Sequence, residues 1–420
     1  MFRSRSRSRS PLRRPAYFRL WLGQAISRIG DQFTVIALLW FVLQLTGSGV
    51  AVGLVVLCFE LPGMITGPFL GRLLDRMQPR LLIGADNLLR GLLIALIPAL
   101  YALGILQMWM VYVLALGTGA LSPTTLVGVR VMLPHIVPDA ELDQANALSS
   151  INQQFAALAG PVAAGVLVAA AGAPWALVID AASFGIMGLL VLGLPDLRRE
   201  RRIGDRRGGR HLEGTRTLFA RKDLRALTLL AVIFFVSYGP LEVALPVYNQ
   251  QVLHGGAVGY GLLWTGFGFG AVVGALCIGL VARVRRPGML LAAIAVLWGA
   301  LLAPLVIVHQ IPLAMLFLAL GGCAWAPYTA IETSLLQRLI PERMRGEVFG
   351  ARATLTTGAV PLGVLVGGLL LGITAAPVVI GISALACVLS GGLGLVSPTL
   401  RELRRIESVD AEAGVLTESA

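Results

Sequence analysis

The chain has 420 residues, of which 56% are hydrophobic and 13% charged, with a formal net charge of +12. Soluble domains carry about 25% charged residues, and a water-soluble fold this apolar lacks the polar groups to cover its surface. A soluble enzyme, a disordered chain and a disulfide-stapled secreted module are excluded, which leaves a polytopic membrane protein.

A basic block, RSRSRSRSPLRR at 3–14, leads into an apolar span with no small-residue cleavage site after it, so no removable signal sequence is expected. Twelve apolar segments follow, near 17–44, 50–74, 80–103, 108–133, 146–171, 174–194, 226–250, 257–281, 288–309, 312–338, 348–372 and 376–397. Each is long enough to cross ~30 Å of hydrocarbon as a helix. Glycines at close spacing, such as Gly266, Gly268, Gly270 and Gly274, suit membrane helices, whose backbones approach closely over small residues. The same glycines would weaken a soluble helix. Cys58, Cys277, Cys323 and Cys387 all lie inside apolar stretches with no CxxC pair, and the four histidines are scattered. No metal site or disulfide is expected from them.

The basic residues are arginines apart from Lys222. Most fall in the N-terminal tail, in the loops after spans 2, 4, 6, 8 and 10, and in the C-terminal tail. The loops after the odd-numbered spans hold none. Positive charge is retained on the cytoplasmic side, so both termini are expected in the cytoplasm. The arginine clusters therefore serve orientation, and no nucleic-acid partner is expected. The plan is an all-α integral membrane protein with twelve transmembrane helices in two pseudo-symmetric six-helix bundles. A basic cytoplasmic tail (1–15) precedes the N-terminal bundle (16–195). A charged cytoplasmic linker (196–224), the C-terminal bundle (225–398) and a cytoplasmic tail (399–420) follow. The halves echo each other: LGTGALSPTTL at 116–126 matches LGGCAWAPYTA at 320–330, with Pro123 and Pro327 in the same place in spans 4 and 10. Such duplication is a common plan of secondary transporters.

GRLLDRMQPR at 71–80 resembles the signature between spans 2 and 3 of the major facilitator superfamily, with Gly71, Asp75, Arg76 and Arg80 in its places. AGPVAAG in span 5 resembles the antiporter signature of that superfamily, Gly-Pro-x-x-Gly-Gly. Gly160, Pro161 and Gly165 match, and Ala164 replaces a glycine. The phrases at 18–38, 138–148 and 179–184 are similar to the macrolide-efflux and enterobactin-exporter branch of drug:proton antiporters. The resemblance covers residues 16–400. It implies two six-helix bundles, alternating access and proton-driven efflux, with a charge network at Asp75 and Arg76 holding the bundles in one state and releasing them in another. The second-half copy, GLVARVRRPG, has Arg283 where the acid would stand.

A charge at the bilayer centre costs at least ~2.5–3.5 kcal/mol, so intramembrane charges mark function or pairing. Asp31 lies about 20 Å into span 1, and Glu60 falls at comparable depth in span 2. These two are the proton-coupling candidates, with pairing of Asp31 to Arg28 as the structural alternative. Asp86 and Arg90, four apart on span 3, share a helix face and are expected to pair. Arg130 at the end of span 4 reaches the interface or an acid at the inner gate. Asp180 in span 6 reads as a helix–helix contact. Glu242, after Gly239-Pro240 in span 7, and Glu332 in span 10, without a local basic partner, are candidates for cationic-substrate contact. Trp264 and Trp325 are aromatic candidates for the cavity wall.

A phosphate-binding loop requires Gly-x-x-x-x-Gly-Lys-Ser/Thr, and Lys222, the single lysine, stands in RKDLRA. No cofactor is expected, and a proton gradient is the expected energy source. The function expected is secondary active transport, as proton-coupled efflux of amphipathic small molecules such as drugs, macrolides or siderophores. A lysophospholipid flippase, or an importer or uniporter of the same fold, is the alternative. The expected setting is a bacterial inner membrane, with a small-molecule substrate and the lipid bilayer as partners and a monomer as the working unit.

Overall fold

The computed structural model describes residues 10–195, 211–277, 284, 286–340 and 344–403. Within these, the side chains of residues 68, 71, 72, 75, 76, 139, 140, 143, 211–214, 345 and 346 lie outside the description. The described residues are helical, with no strand among them. In chain order the helices are α1 (Pro15–Thr46), α2 (Gly49–Arg76), α3 (Pro79–Ala102), α4 (Met108–Leu121), α5 (Pro123–Ile136), α6 (Asp139–Ala171) and α7 (Ala173–Leu192). They are followed by α8 (His211–Ala220), α9 (Lys222–Gln251), α10 (Gly256–Leu276), α11 (Pro287–Leu302), α12 (Ile311–Leu339), α13 (Arg345–Leu371), α14 (Ala376–Val396) and α15 (Pro398–Glu402). Twelve stretches among the described residues are long and apolar enough to cross a membrane.

The connections follow from local chemistry. Span 1 ends at Gly47, whose positive φ of 62° lets its N–H reach back to the Leu43 carbonyl. Ser48 then caps α2, its hydroxyl accepting from the Ala51 N–H at 3.3 Å. Proline starts α3, α5 and α11, where a missing N–H costs nothing. Span 4 is divided: α4 gives way to α5 at Ser122, and Pro123 takes the first position of the new helix. Its counterpart Pro327 sits inside the unbroken α12. The equivalence legible in sequence therefore ends in two backbone outcomes.

Two compact units emerge. One contains the described residues before the linker together with His254–Thr265, and the other contains the remaining described residues. Each unit pairs its spans in the same pattern. In the first, α1 packs on α6 and α7, α3 on α7, and α2 on α4. In the second, α9 packs on α13 and α14, α11 on α14, and α10 on α12. The close approaches are made over glycine. A Cβ on Gly119 would meet the Phe59 carbonyl oxygen of α2 at 2.0 Å, and one on Gly270 would meet the Ala319 carbonyl oxygen of α12 at 1.7 Å. Backbones this close gain dispersion contact that lipid cannot replace.

Large apolar residues such as Leu92, Leu189, Phe269 and Leu385 point outward, as a lipid-facing surface requires. Trp109 and Trp175 are exposed at the starts of spans 4 and 6, where amphipathic rings suit an interface. At the opposite ends, arginines cap carbonyls. Arg19 donates to Gly193 O at 3.0 Å and Arg80 to Leu194 O at 2.7 Å, both at the C-terminus of α7. The helix α15 spans the boundary between the expected bundle and the expected tail at 398/399, and its Leu400 is buried against Gly288. Most of the expected linker, 196–210, lies outside the described residues, and its end forms α8, packed on α13.

Candidate functional site

A largely buried polar group in the first unit lies where α1, α3, α5 and α7 meet. Arg90 of α3 is its centre. Its guanidinium approaches the Asp31 carboxylate of α1 at 3.6 Å and stacks over the Phe184 ring of α7 at 4.2 Å. The Arg90 side chain is 7% exposed and that of Asp31 41%. Asp180 of α7 is fully buried within electrostatic reach of both. It accepts hydrogen bonds from Thr34 of α1 and from Ser183, the latter at 2.9 Å. Gly30 makes this possible, because a Cβ there would sit 2.3 Å from the Asp180 carboxylate. Asp86 of α3 accepts from the Thr125 hydroxyl of α5 at 2.9 Å, and Asn87 donates to the same hydroxyl at 2.8 Å. Arg28 stands within Coulombic range of Asp31 and of the exposed Arg130.

Three features of this arrangement were not given by the sequence. Asp31 is joined by Arg90 and Asp180, whereas no hydrogen bond or ion pair reaches Glu60 from the described residues. Equal depth in neighbouring helices does not fix the direction in which each side chain turns. Asp86 and Arg90 remain in electrostatic range, yet the ion pair of Arg90 is with Asp31 and the hydrogen bond of Asp86 is with Thr125. Thirdly, Glu332, which has no basic partner in its own span, receives one from another helix: Arg352 of α13 donates to it, with both side chains buried. Asp180, read as a helix–helix contact, does bridge α7 to α1.

The remaining candidates are distributed. The side chains of Gly71, Asp75 and Arg76 lie outside the described residues, as does Arg283. Gly160 packs on Gln32, beside Asp31: a Cβ there would meet Gln32 Cγ at 2.6 Å. Within the same unit, the Pro161 carbonyl faces Gly261, and Gly165 lies against the Ala257 carbonyl. The span 5 motif therefore removes side-chain bulk along two helix contacts. Glu242 and Trp264 are half-buried. Trp325 is the hub of an aromatic cluster in the second unit, 5.3 Å from Phe234, 5.6 Å from Trp298 and 5.8 Å from Tyr328 between ring centroids. Such spacing is that of packed rings.

At the N-terminal end of span 1 the contacts are of another kind. Arg14 forms a fork with Glu141, donating from Nε at 2.9 Å and from Nη2 at 3.1 Å. Tyr17 donates to Ala145 O at 2.9 Å, and Asn152 donates to Trp21 O at 3.1 Å. This ladder locks α1 to α6. Asp31 lies on the same helix, nearly three turns beyond Trp21.

The family model described as Major Facilitator Superfamily matches residues 20–363. Macrolide efflux protein A of Streptococcus pyogenes is 24% identical over 405 residues, covering 93% of this chain and 97% of that protein. Multidrug efflux pump Tap of Mycolicibacterium fortuitum is 26% identical over 386 residues, covering 89% and 93%. Among solved structures, the nucleoside transporter NupG has a TM-score of 0.77 at 14% identity, covering 90% of this chain and 99% of that one. That likeness speaks for the fold. With twelve spans in two similarly paired units and a family match over most of its length, the chain belongs to the Major Facilitator Superfamily and is a multi-pass membrane transporter.

Proposed function

We infer that the chain is a proton-coupled exporter of amphipathic small molecules, acting as a monomer in a bacterial cytoplasmic membrane with both termini inside. The observation that carries this reading is the buried cluster around Arg90. Asp31, Asp86 and Asp180 bring three carboxylates to two guanidiniums, those of Arg90 and Arg28. One proton makes the group neutral. Burial penalises an unbalanced charge, so taking up or losing that proton changes which helix contacts are favourable. Asp31 is the most accessible of the three carboxylates and is the group through which a proton enters. Asp180, fixed by Thr34 and Ser183, holds α1 and α7 in register while Arg90 changes partner.

Export is supported by the names of the two efflux relatives and by the Gly160-Pro161 motif of span 5. A proton moving through 100 mV delivers about 2.3 kcal/mol, enough to concentrate a neutral solute some fifty-fold. The test is a drug and macrolide susceptibility panel in an efflux-deficient host, with accumulation assayed with and without a protonophore. Resistance that the protonophore abolishes supports the reading. Accumulation of a solute inside expressing cells, or of lysophospholipid in the opposite leaflet, replaces it with import or lipid flipping.

A further inference from the structure

The N-terminal end of α9 carries a basic pair that the rest of the protein does not use. On the side of the membrane where the arginines gather, several other cations are held by the chain itself. Arg14 is forked to Glu141, Arg19 and Arg80 donate to carbonyls at the end of α7, and Arg401 donates to Leu395 O at 2.6 Å. Arg221, directly before α9, binds the Asp223 carboxylate and donates to Leu339 O at 2.8 Å. Lys222 and Arg225 differ. Both are exposed, and no hydrogen bond or ion pair reaches either side chain from the described residues. Asp223 is engaged by Arg221 and leaves them unneutralised.

At 3.6 residues per turn, Lys222, Arg225, Leu229 and Ile233 fall within an arc of about 80°. Leu229 and Ile233 are 47% and 44% exposed, whereas Leu224, Leu227, Leu230 and Phe234 on the other faces are buried. One outward stripe of α9 therefore runs from cation to hydrocarbon. Leu229 is the first large apolar residue on it. At 1.5 Å per residue, Arg225 stands about 6 Å before Leu229 and Lys222 about 10 Å before it. The headgroup layer on each side of the hydrocarbon is about 5–7 Å deep, and both side chains are long enough to bend towards it. A free phosphate or an acidic peptide would use the two cations and leave the apolar strip idle. A zwitterionic lipid brings its own ammonium, which leaves positive charge in surplus. An anionic lipid satisfies both halves. We propose that Lys222 and Arg225 bind the headgroup phosphate of an anionic glycerophospholipid whose acyl chain lies along Leu229 and Ile233. The site rests on the chain's spanning a membrane and not on proton coupling or export.

Purified full-length protein in a non-ionic detergent is titrated with phosphatidylglycerol and, separately, with phosphatidylcholine, and bound lipid is counted by native mass spectrometry. Phosphatidylglycerol should bind the more tightly. Each basic residue at an anionic surface is worth about five-fold in affinity, so Lys222→Gln combined with Arg225→Gln should weaken that binding about 25-fold. The charge-keeping pair, Lys222→Arg with Arg225→Lys, should retain it. So should Arg13→Gln, which removes an exposed cation outside the stripe. Glycerol 3-phosphate at the same concentration should not displace the lipid. Size-exclusion chromatography verifies that each variant is folded, and the single glutamine substitutions, each expected to lose about five-fold, replace the double where it is not. Equal binding of the two lipids overturns the proposal, as does full binding by the glutamine variants. An equal loss in Arg13→Gln overturns it too, because the effect is then one of surface charge at large. Displacement by glycerol 3-phosphate replaces it with a site for free phosphate. Lipid binding of the expected pattern in a chain that moves no protons leaves this site standing while the exporter reading fails.

Discussion

Replacing Arg352 by methionine tests the second unit most sharply. Arg352 and Glu332 are 9% and 8% exposed at the side chain and bond to each other across α13 and α12. Removing one partner leaves a carboxylate buried without compensation, which costs about 3–5 kcal/mol. A typical domain has about 5–15 kcal/mol of stability in all, so the single variant loses about a fifth of it or more. Replacing both residues, as Arg352→Met with Glu332→Gln, removes the stranded charge and restores most of the loss, because a buried pair and a neutral pair of similar volume differ little. The assay is the folded fraction after heating in detergent, read by size-exclusion chromatography. Midpoints of the wild type and the double variant lying together, with the Arg352→Met midpoint well below, is the expected pattern. A single variant as stable as wild type, or a double variant worse than the single, refutes the pairing argument.

The glycine contacts are equally exposed to test. Gly270→Ala places a Cβ 1.7 Å from the Ala319 carbonyl oxygen, so α10 and α12 must part by more than an ångström, and the yield of monodisperse protein should collapse. Gly185→Ala meets nothing within 4 Å and should be neutral or gain up to about 1 kcal/mol from helix propensity. At the start of α6, the Arg14 guanidinium holds the Glu141 carboxyl below the usual carboxylate range. A lowered folded value contributes stability above the ordinary glutamate value of about 4.3 and loses it as pH falls through the folded value. Thermal midpoints of Glu141→Gln should therefore match wild type in acid and fall below it near neutrality.

The spans were legible because hydropathy is local: each helix carries its own signal, and the loops between spans stand out by their polar residues. Pro123 and Pro327 show the limit of that signal, since identical placement gave a divided helix in one half and a continuous one in the other. The polar cluster was legible only in its members. Asp31, Asp86, Arg90 and Asp180 stand out as charges in apolar sequence, but which of them meet depends on the rotation of α1, α3 and α7. Depth counting cannot supply rotation, which is why Glu60 looked equivalent to Asp31. Arg352 lies near the start of span 11 and reads as an interfacial residue, so its bond to Glu332 had no sequence signature. Ser183, three residues after Asp180, was the one local hint of a satisfied buried acid.

The central claim is that a proton enters through Asp31 and drives export. Purified protein in liposomes, loaded with a pH-sensitive dye and given a substrate identified by the susceptibility panel, measures it directly. Wild type and Glu60→Gln should move protons against substrate under an imposed pH gradient. Asp31→Asn should lose that gradient-driven movement while still exchanging substrate for substrate. Full proton-driven transport in Asp31→Asn would contradict the account.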